Sequence, residues 1–216
     1  MIKIKTFVFN PFSENTYLVW DEKTGQGVII DPGCSNSNEE NILKTFLEEN
    51  NITLKYLFNT HAHIDHVLGN AFIKENYDLE FWGGEKDNFI LEMLEEIGNN
   101  YGIRVKKSPL PDKYFDETNE LFLGDHKISF IFTPGHSPGE FSIYFPDSKI
   151  CFTGDVLFEE GIGRTDLWGG DFDILEHSIL EKLYKLPTDT KIYPGHGSAS
   201  SIDHERNYNP FIIAAD

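Results

Sequence analysis

Cysteine is nearly absent, with two residues, Cys34 and Cys151, among 216. They stand far apart and form no C-x-x-C pair, which argues against both a disulfide scaffold and a zinc ribbon. Each reads as a small buried hydrophobe, Cys151 inside the apolar run KICFTG and Cys34 just after a D-P-G turn. Positive charge is short as well. Lys and Arg number 18 against 36 Asp and Glu, giving a net charge of −18 and an isoelectric point near 4.7. Nucleic-acid binding usually needs a basic face, and the densest basic pair, Lys106–Lys107, reads as part of a solvated loop. No nucleic acid is expected as a partner. Long hydrophobic runs are missing too: no stretch approaches the roughly 20 apolar residues of a membrane span, so no membrane partner is expected. The opening MIKIKTFVFNPF alternates like a strand and lacks the basic, apolar and small-residue regions of a secretory signal. The expected location is the cytoplasm.

What is present is ordinary for a globular protein: 39% hydrophobic, 25% charged and 14% aromatic residues. A chain of this length can bury a substantial core as one domain over residues 1–216. Period-two alternation predicts strands over 2–9, 15–20 and 26–31, separated by NPFSE and DEKTG turns. NSNEENILKTFLEENN reads as a helix with Ile42, Leu43, Phe46 and Leu47 on one face. LKYLFNT is an apolar strand, and VLGNAFIKENY reads as the helix after the loop that follows it. Residues 83–120 carry an acidic amphipathic helix (Ile90, Met93, Leu94, Ile97) and then a weakly patterned Gly/Pro-bearing segment. This stretch reads as an excursion, equally a lid over a site or surface padding. Strand patterns resume at 121–123, 127–133, 141–145 and 149–153. DFDILEHSILEKLYKL is a helix with Asp171 as N-cap and Phe172, Leu175, Ile179 and Leu183 on one face; TKIYPGHG is a last strand and loop. The order repeats, which predicts two similar halves: two sheets face to face with helices outside.

One stretch is unusual. NTHAHIDHVLGN, at 59–70, places His61, His63, Asp65 and His66 within six positions. Random placement would yield H-x-H-x-D-H roughly once in a thousand such chains. The stretch leaves an apolar strand, where α/β proteins tend to carry their chemistry. Three later strands end alike: FIFTPGHSPGE in His136, KICFTGDVLF in Asp155 and KIYPGHGS in His196. Each is an apolar run, a Gly-bearing turn and a metal-capable side chain. Five of the eight histidines and two aspartates therefore emerge at strand ends. Imidazole and carboxylate without thiolate suit zinc, iron or manganese. In extended backbone, positions two apart face one side, so His61 and His63 can share one ion, with Asp65 and His66 aimed at a second. Seven ligands exceed one tetrahedral site and would serve two divalent ions about 3.5–4 Å apart. His126, His177 and His204 lack such contexts and read as solvated or packed.

Here the chain resembles the metallo-β-lactamase superfamily, whose T-H-x-H-x-D-H signature stands at Thr60–His66, followed by the later His, Asp and His. The resemblance covers essentially the whole chain. TPGHSPG, TGDVLFEEGIGRTDLWGGD, YPGHG and HERNYNPF are similar to the short glyoxalase II-like hydrolases of that superfamily. It implies an α/β fold, an αββα four-layer sandwich of two mixed sheets flanked by helices. It also implies that His61, His63 and His136 hold one metal, that Asp65, His66 and His196 hold the second, and that Asp155 bridges them. The implied cofactor is a pair of divalent ions, zinc first, with iron or manganese as alternatives.

The chemistry expected from such a site is hydrolysis. A hydroxide between two divalent cations is a nucleophile near neutral pH, and one ion stabilises the oxyanion. Asp65 could orient that hydroxide and is the candidate catalytic residue. With no separate acid evident, a thiolate leaves more readily than an amine, favouring a small-molecule thioester. The resemblance points the same way, to a hydroxyacyl thioester such as S-lactoylglutathione. Full-length members of that group clasp glutathione with a basic C-terminal helical domain, whereas the tail SASSIDHERNYNPFIIAAD offers Arg206 alone. Arg164 and Asp166 of GIGRTD would touch an anionic substrate or pair with each other to hold a loop, and Phe158, Trp168 and Phe141 would line a pocket or fill core. Two other readings share the motif: a persulfide dioxygenase with one iron on His61, His136 and Asp155, and a metal-binding module without catalysis.

Overall fold

Alternation along the first strands decides which face each side chain takes. The computed structural model describes residues 1–213. β1 (Ile2–Phe9), β2 (Glu14–Asp21) and β3 (Gln26–Ile30) form an antiparallel meander. After α1 (Ser37–Glu49), β4 (Thr53–Phe58) joins β3 in parallel. Tyr17, Val19, Val28, Ile30, Tyr56 and Phe58 point into one apolar cluster, while the intervening Leu18, Ile29 and Leu57 point into another. Both faces of this sheet are therefore covered, as parallel pairing requires. The outer cluster receives Leu43 and Leu47 from α1, whose N-terminus is capped by Asn36 Oδ1 accepting from the Asn38 and Glu39 amides.

α2 (Ile64–Val67) and α3 (Asn70–Asn76) carry the chain to β5 (Glu80–Gly83); α4 (Asn88–Glu92) and α5 (Leu94–Tyr101) precede β6 (Lys113–Tyr114). The first sheet thus has the order β1-β2-β3-β4-β5-β6. Residues 83–120 begin in one strand of this sheet and return as another, so they are woven into it at both ends. The second sheet, ordered β14-β13-β10-β9-β8-β7, comprises β7 (Leu121–Leu123), β8 (His126–Phe132), β9 (Phe141–Phe145), β10 (Ile150–Gly154), β13 (Lys191–Pro194) and β14 (Ser200–Ser201). A short hairpin, β11 (Leu157–Phe158) and β12 (Gly161–Ile162), follows β10. α6 (Phe172–Glu181) crosses over to make β13 parallel to β10, and α7 (Ile202–Tyr208) follows β14.

The sheets meet through one aromatic-rich layer. Leu123, Ile128, Phe130, Ile143, Phe145 and Phe152 of the second sheet pack against the inner face of the first, and Phe58 sits edge-on to both Phe115 and Phe130. Leu175 and Ile179 of α6 cover the outer face of the second sheet, packing with its Cys151 and Ile192. The architecture is the four-layer αββα sandwich. Burial stabilises each such large apolar side chain by about 1.5–3 kcal/mol. Among the described residues, no helix is long and apolar enough to cross a membrane.

Three helices depart from the periodicity. VLGNAFIKENY breaks at Gly69, where the chain bends so that the Gly69 amide donates to Pro32 O at 2.7 Å. A β-carbon there would lie 2.4 Å from Cys34 Sγ, so only glycine permits the approach. The acidic helix splits at Met93, and that side chain, 36% exposed, faces outward while Ile90, Leu94 and Ile97 are buried. α6 ends at Glu181 and the chain tightens into a 3-10 turn at Leu183–Lys185. Phe172 in its first turn is exposed, because the buried stripe starts only at Leu175.

Candidate metal centre

Four strand ends converge at one edge of the sandwich. β4 leads into the loop that carries His61 and His63, then into α2 with Asp65 and His66. β8, β10 and β13 are followed by His136, Asp155 and His196. The structure brings all seven residues together. Their ligand atoms form three overlapping groups, each within 4.8 Å: His61–His63–His136, His61–His66–Asp155 and Asp65–His66–His196. Asp155 stands between the sides of the cluster. Its Oδ1 is 3.4 Å from His66 Nε2, and its Oδ2 is 3.5 Å from His136 Nε2 and 3.6 Å from His196 Nε2. Asp65 Oδ2 lies 3.0 Å from His196 Nε2, and His63 Nδ1 lies 2.7 Å from His136 Nε2. Gly195 makes the approach possible, since a β-carbon there would sit 2.2 Å from Asp155 Oδ1 and 2.6 Å from His66 Cε1.

These residues fit divalent cations. His61 Nε2, His63 Nε2, His66 Nε2 and Asp155 Oδ1 are buried polar atoms without a hydrogen-bond partner. Leaving such an atom unsatisfied costs about 1–3 kcal/mol, and those of His61, His66 and Asp155, which fall in one group of ligand atoms, call for a shared ligand. The electrostatics agree. Burial lowers the proton affinity of His61 well below the imidazole range and takes His63 down to about 3, neighbouring imidazoles adding to both effects. Both are therefore neutral donors. Burial alone would push the Asp155 carboxyl up, but the imidazoles around it, His66 foremost, hold it well below the usual carboxylate range. His66 is raised: burial opposes its charge, but Asp65 and Asp155 outweigh it. The field that draws a proton to His66 draws a metal cation equally.

Residues that the motifs did not single out hold the donors in place. Asp31, at the end of β3, accepts from the Thr60 amide (2.7 Å) with Oδ1 and from the Thr60 hydroxyl (2.6 Å) with Oδ2. His66 Nδ1 stands 3.1 Å from the same Oδ2, and His61 Nδ1 stands 3.1 Å from Thr60 Oγ1. With its hydroxyl hydrogen given to Asp31, Thr60 accepts from His61. One carboxylate thus fixes two tautomers and turns both Nε2 atoms inward. His136 Nδ1 donates to Arg164 O at 2.7 Å, with the same effect. Buried Glu140 accepts the Asp155 amide at 2.9 Å. Asp87 accepts from the Gly139 amide (2.6 Å) and the Ala62 amide (3.1 Å), clamping the loops of His136 and of His61 and His63; burial takes its carboxyl up to about 6. Asp31 had a sequence signal, since VIIDPG is one more apolar strand ending in an acid at a Gly-bearing turn. Asp31→Ala is expected to weaken metal affinity roughly 10–100-fold, measured by chelator competition.

A cavity of about 210 Å³ opens over the cluster, lined by Phe12, Tyr101, Leu167 and Trp168 as well as by Asp65 and Asp155. Tyr101 ends α5, so residues 83–120 supply part of this wall. For Asp166 and Phe141 the structure takes the second of the two alternatives, and Phe158 is not among the residues lining the cavity. Asp166 does not line the cavity; it spends both oxygens on Arg164, accepting from Nε at 2.6 Å and Nη2 at 2.8 Å. Phe158 stands beside His196, ring centroids 6.3 Å apart, but outside the cavity lining. Phe141 belongs to the core between the sheets, its ring tilted against those of Phe115 and Phe132. Arg164 does line the cavity, and so does Trp168.

The family model of the metallo-beta-lactamase superfamily matches residues 9–196. Hydroxyacylglutathione hydrolase GloC of Haemophilus influenzae is 38% identical over 213 residues, 98% of each chain. The crystal structure of BLEG-1 B3 metallo-beta-lactamase superimposes with a TM-score of 0.88 at 31% identity, over 98% of this chain and 99% of that one. TTHA1623 in a di-iron-bound form superimposes at 0.85 with 32% identity, over 96% of this chain and all of that one. With the strand-end cluster and the layered sheets, these matches lead to one conclusion: the chain belongs to the metallo-beta-lactamase superfamily and is a metal-dependent hydrolase.

Proposed function

We propose that this hydrolase cleaves a small hydroxyacyl thioester of the S-lactoylglutathione kind, using two divalent metal ions, zinc in the first place. The observation that carries the reading is Asp155, whose carboxylate lies within 3.6 Å of His136 from one set of donors and of both His66 and His196 from the other. In this reading His61, His63 and His136 hold one ion, Asp65, His66 and His196 hold the other, and Asp155 is shared. When bound, such ions supply an activated water and polarise the substrate carbonyl. The chain's own residues do the rest. Asp31 and the Arg164 carbonyl keep the imidazoles in the ligating tautomer. Asp65, near the cavity floor, accepts a hydrogen bond and orients the attacking water. Phe12, Tyr101 and Trp168 limit solvent access and hold the acyl carbonyl against the cluster. The two carboxyl groups lining the cavity, Asp65 and Asp155, are both held ionised and neither can protonate an amine, so a thiolate is the fitting leaving group. The similarity to a protein named hydroxyacylglutathione hydrolase supports the same substrate class.

The test is hydrolysis of S-lactoylglutathione and related thioesters by protein loaded with zinc, iron or manganese. Turnover that follows metal loading supports the reading. Oxygen uptake with glutathione persulfide in place of thioester cleavage would replace it.

A further inference from the structure

We propose that the cavity selects a short-acyl thioester of an uncharged thiol with an apolar arm over the thioester of an anionic peptide thiol. This proposal rests on the thioesterase reading above. The cavity wall above the donor cluster is made by Phe12, Ile64, Tyr101, Leu167 and Trp168, with Arg164 the one Lys or Arg side chain among the lining residues. Phe12 and Tyr101 meet edge to face at 5.5 Å, and the Trp168 ring stands 6.4 Å from His63. Tyr101 is 49% and Trp168 37% exposed, so a ligand arm crossing the mouth would cover apolar ring surface that faces water.

The cation that an anionic thiol would need is already used. Arg164 presents Nε and Nη2 to Asp166 in a two-pronged contact, the same edge of the guanidinium that would recognise a substrate carboxylate. A glutathione thioester carries a pair of carboxylates and a single ammonium, a net anion. To take the Nε–Nη2 edge of Arg164 it must displace Asp166, and among the described residues no second Lys or Arg lines the cavity to receive its other carboxylate. Glu159 and Glu160 stand exposed at the tip of the hairpin whose Phe158 adjoins His196, on a chain of net charge −18. That field slows the approach of an anion and leaves a neutral arm unaffected. The volume of about 210 Å³ suits a small acyl group at the floor with the arm laid along the aromatic rim.

The experiment compares S-lactoyl-N-acetylcysteamine with S-lactoylglutathione on the metal-loaded protein. Calorimetric titration with the thioethers S-propyl-N-acetylcysteamine and S-propylglutathione reads binding without turnover. The expected result is a kcat/KM higher by about tenfold or more for the neutral ester, carried mainly in KM, with the thioethers binding in the same order. Asp166→Asn frees Arg164 and is expected to narrow that ratio by lowering KM for the glutathione ester. Equal or faster turnover of the glutathione ester by the unmodified protein, or tighter binding of its thioether, overturns the proposal and leaves the thioesterase reading standing. Failure to hydrolyse either ester overturns the thioesterase reading, and this proposal falls with it. The comparison in the unmodified protein decides the matter whether or not the variant folds.

Discussion

Asp155→Ala is expected to abolish thioester hydrolysis while leaving the fold intact. The side chain is buried at the centre of the cluster, and both its oxygens face donors. Its removal would leave each ion without the shared ligand that fixes the other's position. Lewis-acid stabilisation of the developing oxyanion is worth several kcal/mol; losing about 4 kcal/mol corresponds to roughly a thousandfold in rate. The sandwich core lies elsewhere, in the aromatic layer around Phe58, Phe130 and Phe152, and owes nothing to Asp155. Steady-state kinetics with far-ultraviolet circular dichroism as a folding control would check this. Retention of more than about a tenth of the activity, with metal still bound, would show that the reaction does not use the shared carboxylate.

Stripping the metal is expected to have the largest effect on stability. The unpartnered buried atoms of His61, His66 and Asp155 would gain a partner in a cation bound among them. Binding to the folded state alone adds about 4 kcal/mol when free metal exceeds Kd a thousandfold. In a chain of this size that amounts to a rise in Tm of roughly 10 °C, read by calorimetry with and without chelator. The pH dependence has a definite sign. His61 and His63 are held neutral in the fold, their proton affinity below that of the unfolded chain. Their contribution is therefore present above the ordinary imidazole range and is lost as pH falls through about 6.5 towards 3. Protons also compete for the same nitrogens, so the metal-dependent increment falls over that window. In the metal-free protein His66 works in the opposite sense, since its proton affinity is raised. The acid loss should accordingly be steeper for the metal-loaded form. An increment independent of pH from 7 to 4 would contradict imidazole ligation.

The sequence made the layers and the donors legible for different physical reasons. Alternating side chains in β2, β3 and β4 must satisfy two apolar faces at once, and that constraint leaves a periodic trace. The donors were legible because metal chemistry restricts residue type and because each follows an apolar strand at a turn. What escaped notice acts between distant segments. Asp87 reaches Gly139 across 52 positions, and Asp31 reaches Thr60 across 29. Their chemistry is ordinary until the fold brings their partners near. Helix breaks escaped for a similar cause, since the bend at Gly69 follows from its contact with Pro32 and Cys34 rather than from local propensity. Asp166 was ambiguous between substrate and partner until the geometry of Arg164 was visible.

The central claim is that seven strand-end residues hold a pair of ions through a shared aspartate. Metal content per chain, measured by elemental analysis after loading and extensive dialysis, tests it most directly. The expected result is two tightly held divalent ions per chain, falling to one or none in Asp155→Ala. A single ion in the unmodified protein, undiminished in the variant, would contradict it.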